Sequence, residues 1–243
     1  MSAAAAAIHR RAAAAGDLVV SELFTSLQGE GPSAGQTAVF VRLGGCNLDC
    51  SWCDTPYTWR WDRHDPRAEL SVRPVADVAR QVLEQRAPRV VVTGGEPLLQ
   101  QRALLELVAR LHEAGRLVEI ETNGTIAPAP RLVEGVARFN VSPKLATSGV
   151  RTSRRIVPDS LTALAGTGKA VFKFVVTDPG ADIPEVEELA ASYGMESVWL
   201  MPQGTSGPEA VDGMRALAEA AVPRGWSVSP RLHVLLWGDA RGR

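Results

Sequence analysis

No fourth cysteine, no membrane-length apolar run and no surplus of either charge occurs in the 243 residues. Each absence removes a class of function. The only three cysteines, Cys46, Cys50 and Cys53, crowd into a single short loop. An odd, clustered set makes no disulfide scaffold, and free thiolates suit a reducing cytoplasm. Lysine and arginine total 26 against 27 acidic residues, with no basic stripe interleaved with aromatics, so nucleic acid is not an expected partner. No segment reaches the roughly 20 apolar residues that cross a bilayer, and no membrane partner is expected. No pair of acid–base side chains stands out as tuned for hydrolysis. The opening residues 1–16 hold little but alanine beside Ile8, His9, Arg10 and Arg11, and are expected to form a disordered tail ahead of one domain spanning residues 17–243. The Arg10-Arg11 pair opens no export signal, because no adequate apolar region follows it.

What is present begins with the loop Gly44-Gly45-Cys46-Asn47-Leu48-Asp49-Cys50-Ser51-Trp52-Cys53-Asp54-Thr55. Thiolates spaced C-x3-C-x2-C suit a soft metal or an iron–sulfur cluster. With three protein ligands instead of four, one metal corner stays open to bind a substrate or cofactor directly. Two plainer readings are three buried free thiols and a Cys3His zinc site with His64 as the nearest candidate.

Along the chain, Leu18 to Leu27 reads as extended and leads into Gln28-Gly29-Glu30-Gly31-Pro32, a polar turn. Six buried strands are expected at residues 38–43, 89–93, 117–121, 139–141, 170–176 and 197–201. Amphipathic helices alternate with them: Val75, Val78, Ala79 and Val82 mark one apolar face, and Leu104, Leu107, Val108 and Leu111 another. Tyr57 to Asp65 has no clear period and reads as an irregular insertion. Alternation of this kind predicts an α/β fold with parallel strands and right-handed crossovers. Six units are too few for a closed eight-stranded barrel, so an open, partial (β/α)6 barrel is expected. Apart from Gln28–Pro32, the polar motifs follow strands at their C-terminal ends, the edge where such folds bind ligands.

Two of these motifs resemble a known family. The cysteine loop, with Trp52 in the aromatic place of C-x3-C-x-aromatic-C, and Gly94-Gly95-Glu96-Pro97 after the second strand are similar to the signatures of the radical S-adenosylmethionine (SAM) enzymes. The resemblance implies a [4Fe–4S] cluster on Cys46, Cys50 and Cys53, whose open iron chelates SAM. Glycines in the second motif would let main-chain oxygens approach the ligand. Three further stretches, Leu27–Pro32, Cys53-Asp54-Thr55 and the segment Pro230-Arg231-Leu232-His233-Val234-Leu235-Leu236-Trp237-Gly238, resemble the 7-carboxy-7-deazaguanine synthases of the queuosine-type 7-deazapurine pathway.

That narrower resemblance implies a lyase that converts 6-carboxy-5,6,7,8-tetrahydropterin to 7-carboxy-7-deazaguanine with loss of ammonia. It implies Mg2+ on Thr55, and SAM contacts from Trp52, Cys53, Asp54, Gly95, Glu96, Ser142, Pro143, Lys144 and Gln203. Leu27, Gln28, Gly29, Glu30, Arg42, Thr93 and His233 are the implied substrate residues. A homodimer and a reductant such as flavodoxin or ferredoxin are implied as well. No residue is assigned acid–base catalysis, because the hard chemistry belongs to the cofactor. Arg42 reads either as a salt-bridged structural residue or as a fork for a substrate carboxylate, and His233 either as a substrate contact or as a core residue. A glycyl-radical-type activase would share both signatures, and a non-catalytic iron–sulfur or zinc module would share only the thiols.

Overall fold

Helix α1, Ala3–Ala15, begins the chain where a disordered tail is expected. Alanine is the best helix former, the Ser2 hydroxyl accepts the Ala5 N–H at 3.3 Å, and Gly16 closes the other end in a left-handed conformation. The expectation fails because small side chains can still be buried. Ala5 and Ala12 are fully covered, and Ala12 joins Val19 and Leu70 in a core cluster that Ile8, Trp61 and Val72 extend. The computed structural model describes residues 2–238 and 240–242, which divide into two units.

The first unit comprises Met1–Thr25, Ala38–Thr122 and Pro128–Arg138. It holds most of β1 (Leu18–Leu27) and β2 (Thr37–Leu43), then α2 (Pro66–Glu69), β3 (Ser71–Arg73), α3 (Val75–Leu83), β4 (Arg89–Gly94), α4 (Gln101–Glu113), β5 (Leu117–Thr122) and α5 (Pro130–Gly135). Its strand order is β3-β1-β2-β4-β5. β3 runs antiparallel to β1, while β2, β4 and β5 are mutually parallel. Val90, Val91 and Val92 are wholly buried, as a parallel strand covered on both faces requires. The expected faces of α3 and α4 are the ones that pack: Val75, Val78, Ala79 and Val82, and Leu104, Leu107, Val108 and Leu111. Register aligns the C-terminal edge of the sheet. Leu43 lies opposite Gly94, so the loops leaving β2 and β4 start level with each other.

The second unit comprises Ser26–Thr37, Asn123–Ala127 and Phe139–Arg243. Its strands β6 (Arg138–Val141), β7 (Ala170–Val176), β8 (Val198–Pro202) and β9 (Ser227–Val228) are ordered as they occur, each parallel to the next. Between and after them come α6 (Thr152–Arg155), α7 (Pro158–Ala165), α8 (Pro179–Tyr193), α9 (Gly207–Ala221) and α10 (Leu232–Trp237). Phe139, Phe172 and Phe174 fill the core, and α9 opens with a capping box between Ser206 and Glu209. All six expected strands occur, three in each unit; the short β3 and β9 were not foreseen. Among the described residues no helix is long and apolar enough to cross a membrane.

Candidate active site

In the first unit the cysteine loop leaves β2 and is clasped at once by the loop that leaves β4. Gly95 N–H donates to the Leu43 carbonyl at 3.1 Å, and Glu96 N–H to the Gly45 carbonyl at 2.8 Å. A Cβ on Gly95 would stand 2.1 Å from the Gly45 oxygen and 2.9 Å from Cys46 Cβ; one on Gly94, at φ +135°, would stand 2.1 Å from the Leu43 oxygen. The two glycines are therefore required by loop-on-loop contact, a reason distinct from the ligand approach expected of them. Gln100 completes the clasp, its side-chain amide donating to the Val19 and Gly44 carbonyls and accepting the Val19 N–H. On another side, the His9 ring of α1 lies where a Cβ on Gly45 would project.

Glu96, wholly buried, caps the turn Pro97–Gln100 by accepting the Leu98 N–H at 2.9 Å, and the Thr122 hydroxyl lies 2.9 Å and 3.0 Å from its two oxygens. Burial pushes the Cys46 thiol up to about 12; the Leu48 N–H opposes this, and Glu96, Cys53 and Cys50 add to it. A cation at this point would release the proton, because ligation requires the thiolate. Cys53 has two neighbours: the Trp59 indole N–H donates to its sulfur at 3.2 Å, and the Thr55 hydroxyl lies 3.7 Å away. Thr55 offers only that hydroxyl, its carbonyl being taken by the Thr58 hydroxyl at 2.8 Å and the Thr58 N–H at 3.0 Å.

The donor set fits an iron–sulfur cluster by its chemistry, three soft thiols on one loop, although among the described residues no three His, Cys, Asp or Glu side chains are gathered closely enough to form a ligand group. His64, the candidate fourth zinc ligand, instead faces Glu69 at 3.9 Å and the edge of Tyr57. Arg42 donates from Nε to Glu22 at 2.8 Å and lies over Phe24, while Tyr57 OH donates to the same Glu22 oxygen at 2.9 Å. The salt bridge and the fork are thus compatible, since Glu22 takes Nε and leaves the terminal amino groups outside that bond. Thr93 donates to Glu121 at 2.6 Å. Trp52 is half-buried and Asp54 exposed.

In the second unit Gln28 and Gly31 pin the turn around Glu30. Gln28 is buried, its N–H donating to Gln36 O at 2.8 Å and its side-chain oxygen accepting Glu30 N–H at 3.2 Å. Gly31 N–H donates to Ser229 Oγ at 2.7 Å, and the Gly29 carbonyl accepts Leu232 N–H at 2.8 Å. A Cβ on Gly29 would lie 2.1 Å from His233 Nδ1. The turn and the Pro230–Trp237 segment, far apart in sequence, are thus brought together. Glu30 pairs with Lys173, with Arg231 Nε at 3.6 Å and with His233 Nε2 at 4.0 Å. Burial alone would raise the Glu30 carboxyl, but these three groups outweigh it and hold the carboxyl far below the ordinary carboxylate range.

Sequence reasoning missed Lys173 and gave Arg231 no role. Lys173 stands in an otherwise apolar strand, and a buried lysine there signals a partner. Lys144 donates to Ser142 at 2.9 Å across the buried Pro143. Gln203 is exposed at the end of β8, and Leu27 is half-buried at the end of β1.

A parallel α/β chain whose first βα loop carries three thiols, clasped by a Gly-Gly-Glu-Pro turn, is a radical SAM protein, and the profile of the Radical SAM superfamily matches residues 40–161. The α/β fold class, in the partial, open (β/α)6 form, agrees with the crystal structure of QueE from Escherichia coli, which aligns with a TM-score of 0.66 at 28% identity over 88% of this chain and 93% of that one. The 7-carboxy-7-deazaguanine synthase of Pyrobaculum aerophilum is 43% identical over 227 residues, covering 92% of this chain and 96% of its own. That of Halobacterium salinarum is 40% identical over 258 residues, covering 95% and 96%. The chain belongs to the 7-carboxy-7-deazaguanine synthase family.

Proposed function

We propose that this enzyme converts 6-carboxy-5,6,7,8-tetrahydropterin to 7-carboxy-7-deazaguanine with loss of ammonia. The observation that carries the reading is the three-thiol loop locked to the Gly94–Pro97 turn in a chain of this family. When bound, the [4Fe–4S] cluster and SAM would supply the radical chemistry that the ring contraction needs. The chain's residues hold and orient. Cys46, Cys50 and Cys53 ligate the cluster, and Thr55 offers Mg2+ one hard oxygen, the remaining positions falling to water and substrate.

Trp52, Cys53, Asp54, Gly95, Glu96, Ser142, Pro143, Lys144 and Gln203 are assigned to SAM. Leu27, Gln28, Gly29, Glu30, Arg42, Thr93 and His233 are assigned to the pterin. Arg42, oriented through Nε by Glu22, presents its terminal amino groups to the substrate carboxylate. Glu30, kept ionised by its cations, is an acceptor only, as the adjacent N–H groups of a pterin edge require. Residues 17–243, with α1 packed onto their first unit, act as one catalytic domain in a cytoplasmic homodimer that draws electrons from a flavodoxin or ferredoxin.

Anaerobic reconstitution with iron and sulfide, followed by SAM, dithionite and the pterin, should yield 7-carboxy-7-deazaguanine by mass. Product should vanish with Cys50→Ala and fall with Thr55→Ala. SAM cleavage without any deazapurine would sink the substrate assignment and leave the class standing.

A further inference from the structure

Neither family signature uses the Trp59 indole, which lies against the cysteine loop. Trp59 follows the single helical turn Pro56–Thr58, whose buried Thr58 ties both ends of the loop. The Thr58 carbonyl accepts Gly45 N–H at 2.7 Å, its hydroxyl donates to Thr55 O at 2.8 Å, and Trp59 N–H closes the turn onto Pro56 O at 3.1 Å. So anchored, the indole N–H points at Cys53 Sγ, 3.2 Å away. Arg60 places its guanidinium 5.2 Å over the same ring. Cys46 also has a donor, the Leu48 N–H at 3.4 Å, but that donor is main chain and only proline, which would bend the loop, removes it. The donor on Cys53 is a side chain.

Given the reading of this loop as a cluster site, we propose that Trp59 sets the cluster's reduction potential, with Arg60 strengthening the effect. A donor on a ligating thiolate withdraws charge from the metal, and the reduced cluster, which carries one more electron, gains more from it than the oxidised one. A cation over the ring draws density from the indole and makes its N–H the better donor. One electron enters from a low-potential one-electron reductant, and the indole keeps its proton throughout. The pair thus eases reduction of the cluster by its donor and leaves the reduced cluster a milder reductant toward SAM.

The test is an EPR-monitored redox titration of the reconstituted, substrate-free protein. Trp59→Phe keeps the aromatic body and removes the donor. At a fixed potential its ratio of reduced to oxidised cluster should fall about tenfold, equivalent to about 59 mV for a one-electron couple. Arg60→Gln should shift the ratio the same way by about twofold. A Trp59→Phe protein with full iron and sulfide and an unmoved midpoint would overturn the proposal. If that variant holds no iron, Arg60→Gln decides, an unmoved midpoint again overturning it. A wild-type protein that forms no cluster would instead refute the reading of the loop, and iron and sulfide content tells the two failures apart.

Discussion

The two loops richest in predicted site residues are held by different means. The cysteine loop is clasped chiefly by main chain against main chain, with glycines at the points of contact and uncharged Gln100 and Thr58 adding side-chain bonds. The turn Gln28–Gly31 adds charged side chains to its main-chain bonds: a carboxylate among Lys173, Arg231 and His233, and a histidine ring seated on a glycine. Main-chain contacts position thiols without adding charge, which suits ligands that must bind soft metal. A lattice of charge keeps a carboxylate ionised at the cost of burying it. The first arrangement tolerates no added atom; the second tolerates compensated change.

The largest effect should come from Gly95→Ala, whose new methyl meets a carbonyl that cannot move alone. A loss of about 3 kcal/mol is expected, and iron content after reconstitution should fall with the thermal midpoint. No second substitution should restore it. Next, Lys173→Met leaves Glu30 with weaker partners and should cost about 2 kcal/mol. A carboxyl held low stabilises the fold above its unfolded pKa of about 4.3 and loses that contribution as pH falls through the folded value. In Lys173→Met the folded value rises toward the unfolded one, so the acid-side fall in the urea midpoint should be smaller and should level off at a higher pH than in the wild type; parallel curves would show that Lys173 does not govern Glu30.

Gly29→Ala should cost somewhat less, about 1–2 kcal/mol, because its methyl meets a side chain. Adding His233→Ala should recover part of that loss in a double-mutant cycle, and additive losses would mean that the ring is not what Gly29 accommodates. His9→Ala should be the mildest, within about 0.5 kcal/mol in stability. Its signature should be roughly twofold faster bleaching of the cluster in air, since the ring covers Gly45 next to Cys46.

The features legible in the sequence are those written in neighbouring residues. The six parallel strands announce themselves as runs such as Val90-Val91-Val92, and the thiols and the Gly94–Pro97 turn lie in unbroken stretches. What could not be read depends on partners remote in the chain. Lys173 meets Glu30 across 143 positions, and nothing around it hints at a carboxylate. Helix α1 was missed because alanine shows no apolar stripe even when buried. Trp59 sits in a segment without periodicity, where only geometry reveals its hydrogen bond. Glu96 stands out within its motif, yet its ties to Leu98 and Thr122 were not legible.

The union of Gly29 and Gly31 with Ser229, Leu232 and His233 bears on synthesis. Everything that fixes the cysteine loop, from α1 to Thr122 at the end of β5, has been translated before the chain is much more than half made. The turn at Glu30 leaves the ribosome well before its last fasteners, with Lys173 143 positions after Glu30 and Ser229 198 after Gly31. The thiol loop can be shaped during translation. The carboxylate turn, its backbone polar groups meanwhile met by water, can be finished only once His233 has emerged, so a product truncated before Ser229 would carry a formed thiol loop and an unfinished turn.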